Sequence, residues 1–216
     1  MGTVFGFDSP FMKFMRKVVN FMLLNFLTVL CSLPILTAGA AISATHYVCV
    51  KMQEGDISIS VAYIDAFKTN FKRGTLIWLI LLGLIAFGVF DYELAKSLTS
   101  NMQGIVHTVL VVEGVVLLLA SSWVFPLQAR YENKILHTIK NAAILTIAYL
   151  PSTILMSIMG ILPVVMLLVS EYTLPLVLLF GAVLPIYWNT RVYCKILDRI
   201  DNNAAQEGEQ EYDISE

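Results

Sequence analysis

One carboxylate lies deep inside an apolar run of the chain. Glu113 stands in the stretch LVVEGVVLLLA, which holds no other ionisable residue. An ionisable side chain inside a membrane is costly and often functional, because it can bind a proton, pair with another helix or line a polar cavity. Two interpretations of Glu113 stay open: a hydrogen-bonded packing contact between helices, or a proton or substrate site.

A second set of polar residues repeats at helical spacing. Asn25, Thr28 and Ser32 are three and four residues apart, so they share one face of a helix. Hydrogen bonds from this stripe to a polar group on a neighbouring helix would hold the two helices together. We therefore expect an intramembrane polar site that combines Glu113, Asn25 and Ser32.

Small residues follow this stripe in PILTAGAAISA. Gly39 and Ser43, like Ala40 and Ala44, are four residues apart. Small residues at this spacing allow two helices to approach closely. Because Pro34 and Gly39 also weaken a helix, an unwound, backbone-lined substrate site is the alternative.

Residue types that support catalysis or metal binding do not assemble into a motif. The sequence has no P-loop, nucleophile elbow or GxGxxG. No second ligand follows His46, His107 or His137 at the spacing of a metal-binding helix. The cysteines, Cys31, Cys49 and Cys194, form no C-x-x-C pair and are expected to be free thiols. We expect no enzyme activity, no metal and no cofactor.

The composition indicates the elements that must position these residues. Hydrophobic residues make up 57% of the 216 residues, charged residues only 14%, and the mean hydropathy is +0.74. A typical soluble domain is about a quarter charged, so this chain is predicted to be an integral membrane protein with the lipid bilayer as its main partner. The absence of a basic tract argues against a nucleic-acid partner.

The predicted fold is an all-α membrane helix bundle with about five spanning helices and short interfacial helices. The predicted spans are residues 18–44, 75–92, 105–127, 151–169 and 172–192, within a single domain of residues 1–200. A short interfacial helix is expected at Lys140–Leu150, and Pro185 is expected to kink the last span. Residues 201–216 carry six acids and no base, and this composition predicts a disordered acidic tail.

The first span has two predicted topologies. A single crossing by Val18–Ala44 would place ten basic residues in the cytoplasm and four outside; a hairpin that turns at Pro34 would place thirteen inside and one outside. We favour the single crossing, because each hairpin arm would be only about 24 Å long against a hydrocarbon core of about 30 Å. In both, the C-terminus is cytoplasmic, and Trp78, Trp123 and Trp188 mark the cytoplasmic headgroup level.

Basic connectors on the cytoplasmic side are candidate docking sites for a partner. The residues are Lys68, Lys72, Arg73, Lys140 and Asn141. The stretch KNAAILTIAYLP resembles the coupling segment of bacterial ABC importer permeases, in which an Ala-rich amphipathic helix precedes an Ile-x-Leu-Pro element. The acidic residue before the alanines and the loop glycine of that segment are missing here.

The whole chain resembles the YesL family of bacterial membrane proteins, which carry a domain of unknown function. The resemblance rests on FDSPFMKFMRKVVNFMLLNFLTVLCSLPILTAGAAISATHYV at Phe7–Val48, with support from AFKTNFKRGTLIWLIL at Ala66–Leu81 and from Leu150–Pro151. Similar proteins are multi-pass and are often encoded near sugar-importer and glycan-degrading genes. The resemblance implies a plasma-membrane accessory component of carbohydrate transport that works with ABC sugar-importer subunits. The alternative is a small, homo-oligomeric transporter with its site near Glu113.

Overall fold

A computed structural model describes residues 10–97, 100–132 and 134–215, and these residues fold into helices. The α-helices of the described residues are α1 Pro10–Ser32, α2 Ala38–Glu54, α3 Ile59–Ala95, α4 Ser100–Arg130, α5 Ile135–Ala148, α6 Leu150–Val169, α7 Leu174–Phe180 and α8 Val183–Ser215. Short 3-10 turns at Ile35–Thr37 and Glu171–Thr173 precede α2 and α7. No strand occurs in this part of the chain, which confirms the all-α fold.

Five segments are long and apolar enough to cross a membrane. They are Pro10–Ser32, Ile35–Glu54, Ile59–Ala95, Met102–Arg130 and Leu150–Val169. The pair Glu171–Phe180 and Val183–Gln206, bent by 53° at its break, counts as a sixth if both parts form one span. The fold is therefore the predicted membrane helix bundle, although its first and last spans differ from the prediction.

The predicted single crossing at residues 18–44 is wrong, because the chain reverses at Pro34. Phe21 and Leu24 of α1 share one buried cluster with Ala44 and Val48 of α2, which requires the two helices to lie side by side. The Thr37 hydroxyl donates to the Cys31 carbonyl at 2.7 Å and fixes the turn. Both arms are longer than the apolar run suggested, because helix α1 begins at Pro10 and α2 continues to Glu54.

Two long helices, α3 and α4, form an antiparallel pair. Helix α3 has 37 residues, about 55 Å at 1.5 Å per residue, so it exceeds the hydrocarbon thickness of about 30 Å. Its first half packs against α2, where Gly39 meets Gly74 so closely that a side chain on either glycine would clash. The Trp78 indole donates to the Ile35 carbonyl at 2.7 Å and holds the hairpin turn against α3. The small residues of α2 are thus packing residues.

A second buried cluster joins α4, α5, α6 and α8. Its largest member, Trp123, is fully buried, and its indole donates to the Thr153 hydroxyl at 2.7 Å. Trp123 therefore links two helices, and its ring is covered by protein in place of the headgroup contact that was predicted. Trp188 remains 52% exposed, as an interfacial residue requires.

The last span breaks earlier than predicted, and the tail continues its helix. The break lies at Gly181–Ala182. A Cβ atom at position 181 would clash with the Val177 carbonyl, so glycine is needed there. Pro185 falls in the first turn of α8, where its missing N–H costs nothing, so it causes no kink. A disordered tail is predicted for residues 201–216; in the structure helix α8 runs on to Ser215, and Glu216 lies outside the described residues.

Candidate functional site

The predicted docking residues on α3 line one surface, which we call the basic groove. Its volume is about 520 Å³, and its lining residues are Phe67, Lys68, Thr69, Phe71, Lys72, Arg73 and Glu132. Helix α3 buries Tyr63, Ala66, Asn70 and Gly74, which fall on one face at helical spacing. Lys68 and Lys72 therefore point away from the bundle, and both are exposed. The groove combines cationic side chains with two phenylalanine rings.

The predicted docking residues on α5 lie elsewhere. Asn141 lines a groove of about 340 Å³ between α5 and α8, which we call the α5 groove. Its other lining residues are Leu127, Tyr131, Ile144, Leu145, Leu197, Ile200 and Asp201. Lys140 is exposed on α5 next to Asn141. Leu127 and Tyr131 line the α5 groove, and Glu132 lines the basic groove. Because all three residues lie near the C-terminal end of α4, both grooves lie around this helix end.

An ion-pair network that sequence reasoning missed fixes the same end of α4. Arg130 Nη2 lies 2.6 Å from Asp198 Oδ1 and 2.9 Å from Asp201 Oδ2 on α8. The Tyr131 hydroxyl donates to Asp201 at 2.8 Å. Burial raises the pKa of Tyr131 to about 12, and its bond to Asp201 adds to the rise. Tyr131 is therefore a neutral donor at physiological pH, and α8 is held to α4 by three side-chain contacts.

The proposed polar site of Glu113, Asn25 and Ser32 does not assemble. Glu113 is half-buried and lies next to Gly88 of α3. A Cβ atom added at Gly88 would lie 3.7 Å from Oε2 of Glu113. Asn25 is fully buried on another side of the bundle, against the break between α7 and α8. Ser32 ends α1 at the hairpin turn. The expected hydrogen bonds from the stripe to Glu113 are therefore wrong.

Asn25 instead supports the broken last span. Its Nδ2 donates to the Leu178 carbonyl at 2.7 Å, and its Oδ1 accepts from the backbone N–H groups of Ala182 and Val183 at 2.9 and 3.2 Å. A helix break leaves backbone groups without intrahelical partners, and a buried unpaired group is costly. One asparagine side chain therefore supplies partners on both sides of the break.

The titratable residues inside the bundle are dispersed. Within residues 10–97, 100–132 and 134–215, no three His, Cys, Asp or Glu side chains come together as a metal site would need. His46 is buried, with Nδ1 3.3 Å from the Tyr193 hydroxyl. This pairing joins α2 to α8 and gives His46 a packing role.

Comparison with known families places the hairpin and α3 in one unit. Residues 21–92 match the family model described as "Protein of unknown function, DUF624". The match covers about one third of the 216 residues. This match confirms the resemblance to the YesL family, whose members carry the domain. No curated protein and no solved structure matches this chain.

The DUF624 segment begins at Phe21 in α1 and ends at Tyr92 in α3. It therefore contains the hairpin turn, the contact between Gly39 and Gly74, and six of the seven residues that line the basic groove. The α5 groove and the Arg130 network lie outside the matched residues. The matched segment is a helical hairpin packed on a long third helix.

Proposed function

We propose that this chain is a non-enzymatic membrane accessory protein that docks a cytoplasmic segment of a partner in the basic groove. The observation that carries the proposal is the combination of exposed cations, Lys68 and Lys72, with exposed phenylalanine at Phe71 in one concave surface. The YesL resemblance favours an ABC-type sugar importer as the partner and carbohydrate uptake as the process.

The hairpin supports a cytoplasmic position for this surface. Lys96 follows the apolar second half of α3 and is the one basic residue at that end of the bundle. The other 13 of the 14 basic residues lie toward the opposite end of the bundle. Short loops rich in Lys and Arg stay in the cytoplasm. In a bundle of six spans, the basic groove, the α5 groove and both chain ends would therefore face the cytoplasm of the cell that carries the protein.

The groove chemistry favours a partner segment of a particular kind. Lys68, Lys72 and Arg73 attract carboxylates, and Phe67 and Phe71 offer apolar contact. Glu132 closes one side and disfavours additional negative charge there. We expect an acidic, amphipathic segment, because complementary charge raises the association rate and fixes the register while the apolar contact supplies affinity.

Co-purification in mild detergent tests the docking proposal. Lys68→Glu with Lys72→Glu should abolish recovery of importer permease or ATPase subunits, because both exposed cations of the groove are reversed. Lys195→Glu with Arg199→Glu is the matched control, since these two exposed cations lie on α8 away from the groove. Equal recovery by the groove variant and the wild-type protein, at equal membrane levels, would show that the groove does not dock these subunits.

A transporter function is the second candidate, and the position of Glu113 favours it. This carboxylate is half-buried between α3 and α4 within an apolar span. The site would consist of Glu113 and the surrounding α3–α4 surface, and a homo-oligomer could enclose it. In liposomes containing only this protein, Glu113→Gln should abolish sugar uptake, whereas Glu93→Gln, near the end of α3, should not. Absence of uptake by the wild-type protein excludes this candidate.

A further inference from the structure

A cavity lies between the first turns of α1 and the connector from α2 to α3. Its volume is about 440 Å³, and we call it the headgroup cavity. The lining residues are Lys13, Arg16, Lys17, Asn20, Met52, Gly55, Asp56 and Ile57. Among the described residues, three cations and one carboxylate line this space, which shares no lining residue with either groove described above.

The cations converge because of their spacing on α1. Lys13, Arg16, Lys17 and Asn20 stand at positions i, i+3, i+4 and i+7, which share one face of a helix. Lys17 Nζ lies 4.9 Å from the centre of the Tyr187 ring, and Arg191 Cζ lies 5.4 Å from the same ring. Lys17 of the cavity wall and Arg191 of α8 therefore share one ring, and Tyr187 anchors Lys17 to α8.

An apolar stripe leads away from the cavity along α1. Val19 and Leu23 follow Arg16 by three and seven residues, so they continue its side of the helix, and Phe26 and Leu30 extend the same line. These four side chains are 59%, 37%, 61% and 49% exposed. In a membrane protein, such a stripe faces lipid chains. A cationic cavity that opens onto an apolar stripe matches a molecule with an anionic head and an acyl chain.

We propose that the headgroup cavity binds the phosphate of an anionic phospholipid, with an acyl chain of that lipid along Val19, Leu23, Phe26 and Leu30. Basic pockets beside spanning helices attract anionic headgroups. A zwitterionic headgroup such as phosphocholine would place its own cation among Lys13, Arg16 and Lys17, and repulsion would offset the attraction of its phosphate. Asp56 is the acidic wall of the cavity and weakens the site for any anion.

Lipid titration of the full chain in detergent tests the proposal, with thermal denaturation and native mass spectrometry as readouts. Phosphatidylglycerol should raise Tm and remain bound, whereas phosphatidylcholine should do neither to the same extent. Lys13→Gln with Arg16→Gln should weaken phosphatidylglycerol binding about 30-fold, because each cation near the surface contributes about 5-fold. This pair leaves the contact between Lys17 and Tyr187 intact. Lys195→Gln with Arg199→Gln is the matched control and should bind normally.

Asp56→Asn provides a gain-of-binding test that does not depend on a destabilised variant. Removing this carboxylate should tighten phosphatidylglycerol binding several-fold and leave phosphatidylcholine unchanged. Glycerol 3-phosphate, which has the phosphate without acyl chains, should bind far more weakly than the lipid. Equal binding of phosphatidylcholine and phosphatidylglycerol, equal binding of glycerol 3-phosphate and the lipid, or unchanged binding in both the double variant and Asp56→Asn would each overturn the proposal.

Discussion

The side-chain oxygens of Thr28 in α1 and Thr45 in α2 lie 2.7 Å apart in a buried hydrogen bond. In one continuous helix, 17 residues of separation would place them about 25 Å apart. The bond therefore requires the chain to reverse between them, and it lies inside the DUF624 segment. An antiparallel hairpin returns the chain to the side of the membrane on which it started, which changes the expected topology of the N-terminus.

With the bent pair Glu171–Phe180 and Val183–Gln206 as a sixth span, the hairpin predicts that both chain ends lie on the same side of the membrane. A reporter that is active only in the cytoplasm should be active at the N-terminus and at the C-terminus. In a background with Cys31, Cys49 and Cys194 replaced by serine, Ser97→Cys should react with an impermeant maleimide in intact cells. Lys134→Cys, at the opposite end of α4, should not react. An inactive N-terminal reporter beside an active C-terminal one would restore the single crossing.

The contact between Gly39 and Gly74 predicts a strong difference between two glycine substitutions. Gly39→Ala should destabilise the protein by about 1–3 kcal/mol, because its methyl group would clash with the Gly74 carbonyl and with Trp78, as in an overpacked core. Gly83→Ala is the matched control on α3, since nothing lies within 4 Å of the new Cβ atom. It should be neutral or stabilise the helix by about 0.5–1 kcal/mol. Thermal denaturation in detergent measures both, and equal Tm values would contradict the close approach.

The position of Asn25 predicts that it stabilises the last span and has no part in a site with Glu113. Asn25→Leu should lower stability by about 2–4 kcal/mol, because it leaves buried backbone groups at Leu178, Ala182 and Val183 without partners. Asn20→Leu, on the same helix but half-buried, should cost far less. A double-mutant cycle of Asn25→Leu with Glu113→Gln should be additive, and a coupling energy above about 0.5 kcal/mol would reconnect the two residues.

Several features of this fold could be predicted from the sequence because they depend on local chemistry. Long uncharged runs predicted the membrane helices, and the spacing of Gly39, Ala40, Ser43 and Ala44 predicted close packing, which the structure confirms in the contact with Gly74. The hairpin is the less favoured of the two predicted topologies when its arms are measured by apolar length alone. Lys13, Arg16 and Lys17 are good helix formers, so α1 begins well before the apolar run.

The candidate site was harder to predict, because spacing along a helix gives a shared face and does not give the partner of that face. Asn25 and Thr28 do share a buried face, but the face meets α2 and the break before α8. The clustering of Lys68 and Lys72 could be predicted, since it needs only one helix. The link from Arg130 to Asp198 could not, because 68 residues separate the two side chains.

The Arg130 network predicts the behaviour of the acidic end of α8. Arg130→Gln should remove both ion pairs to Asp198 and Asp201, and amide hydrogen exchange in residues 201–215 should then accelerate about 5-fold, since exposed ion pairs contribute roughly 1 kcal/mol. Tyr131→Phe, which removes only the hydroxyl bond to Asp201, should have a smaller effect. Arg199→Gln, an exposed neighbour on α8, is the control and should leave exchange unchanged. If Arg130→Gln also leaves it unchanged, the helix at this end is held by its apolar contacts at Leu197 and Ile200, and the ion pairs contribute nothing measurable.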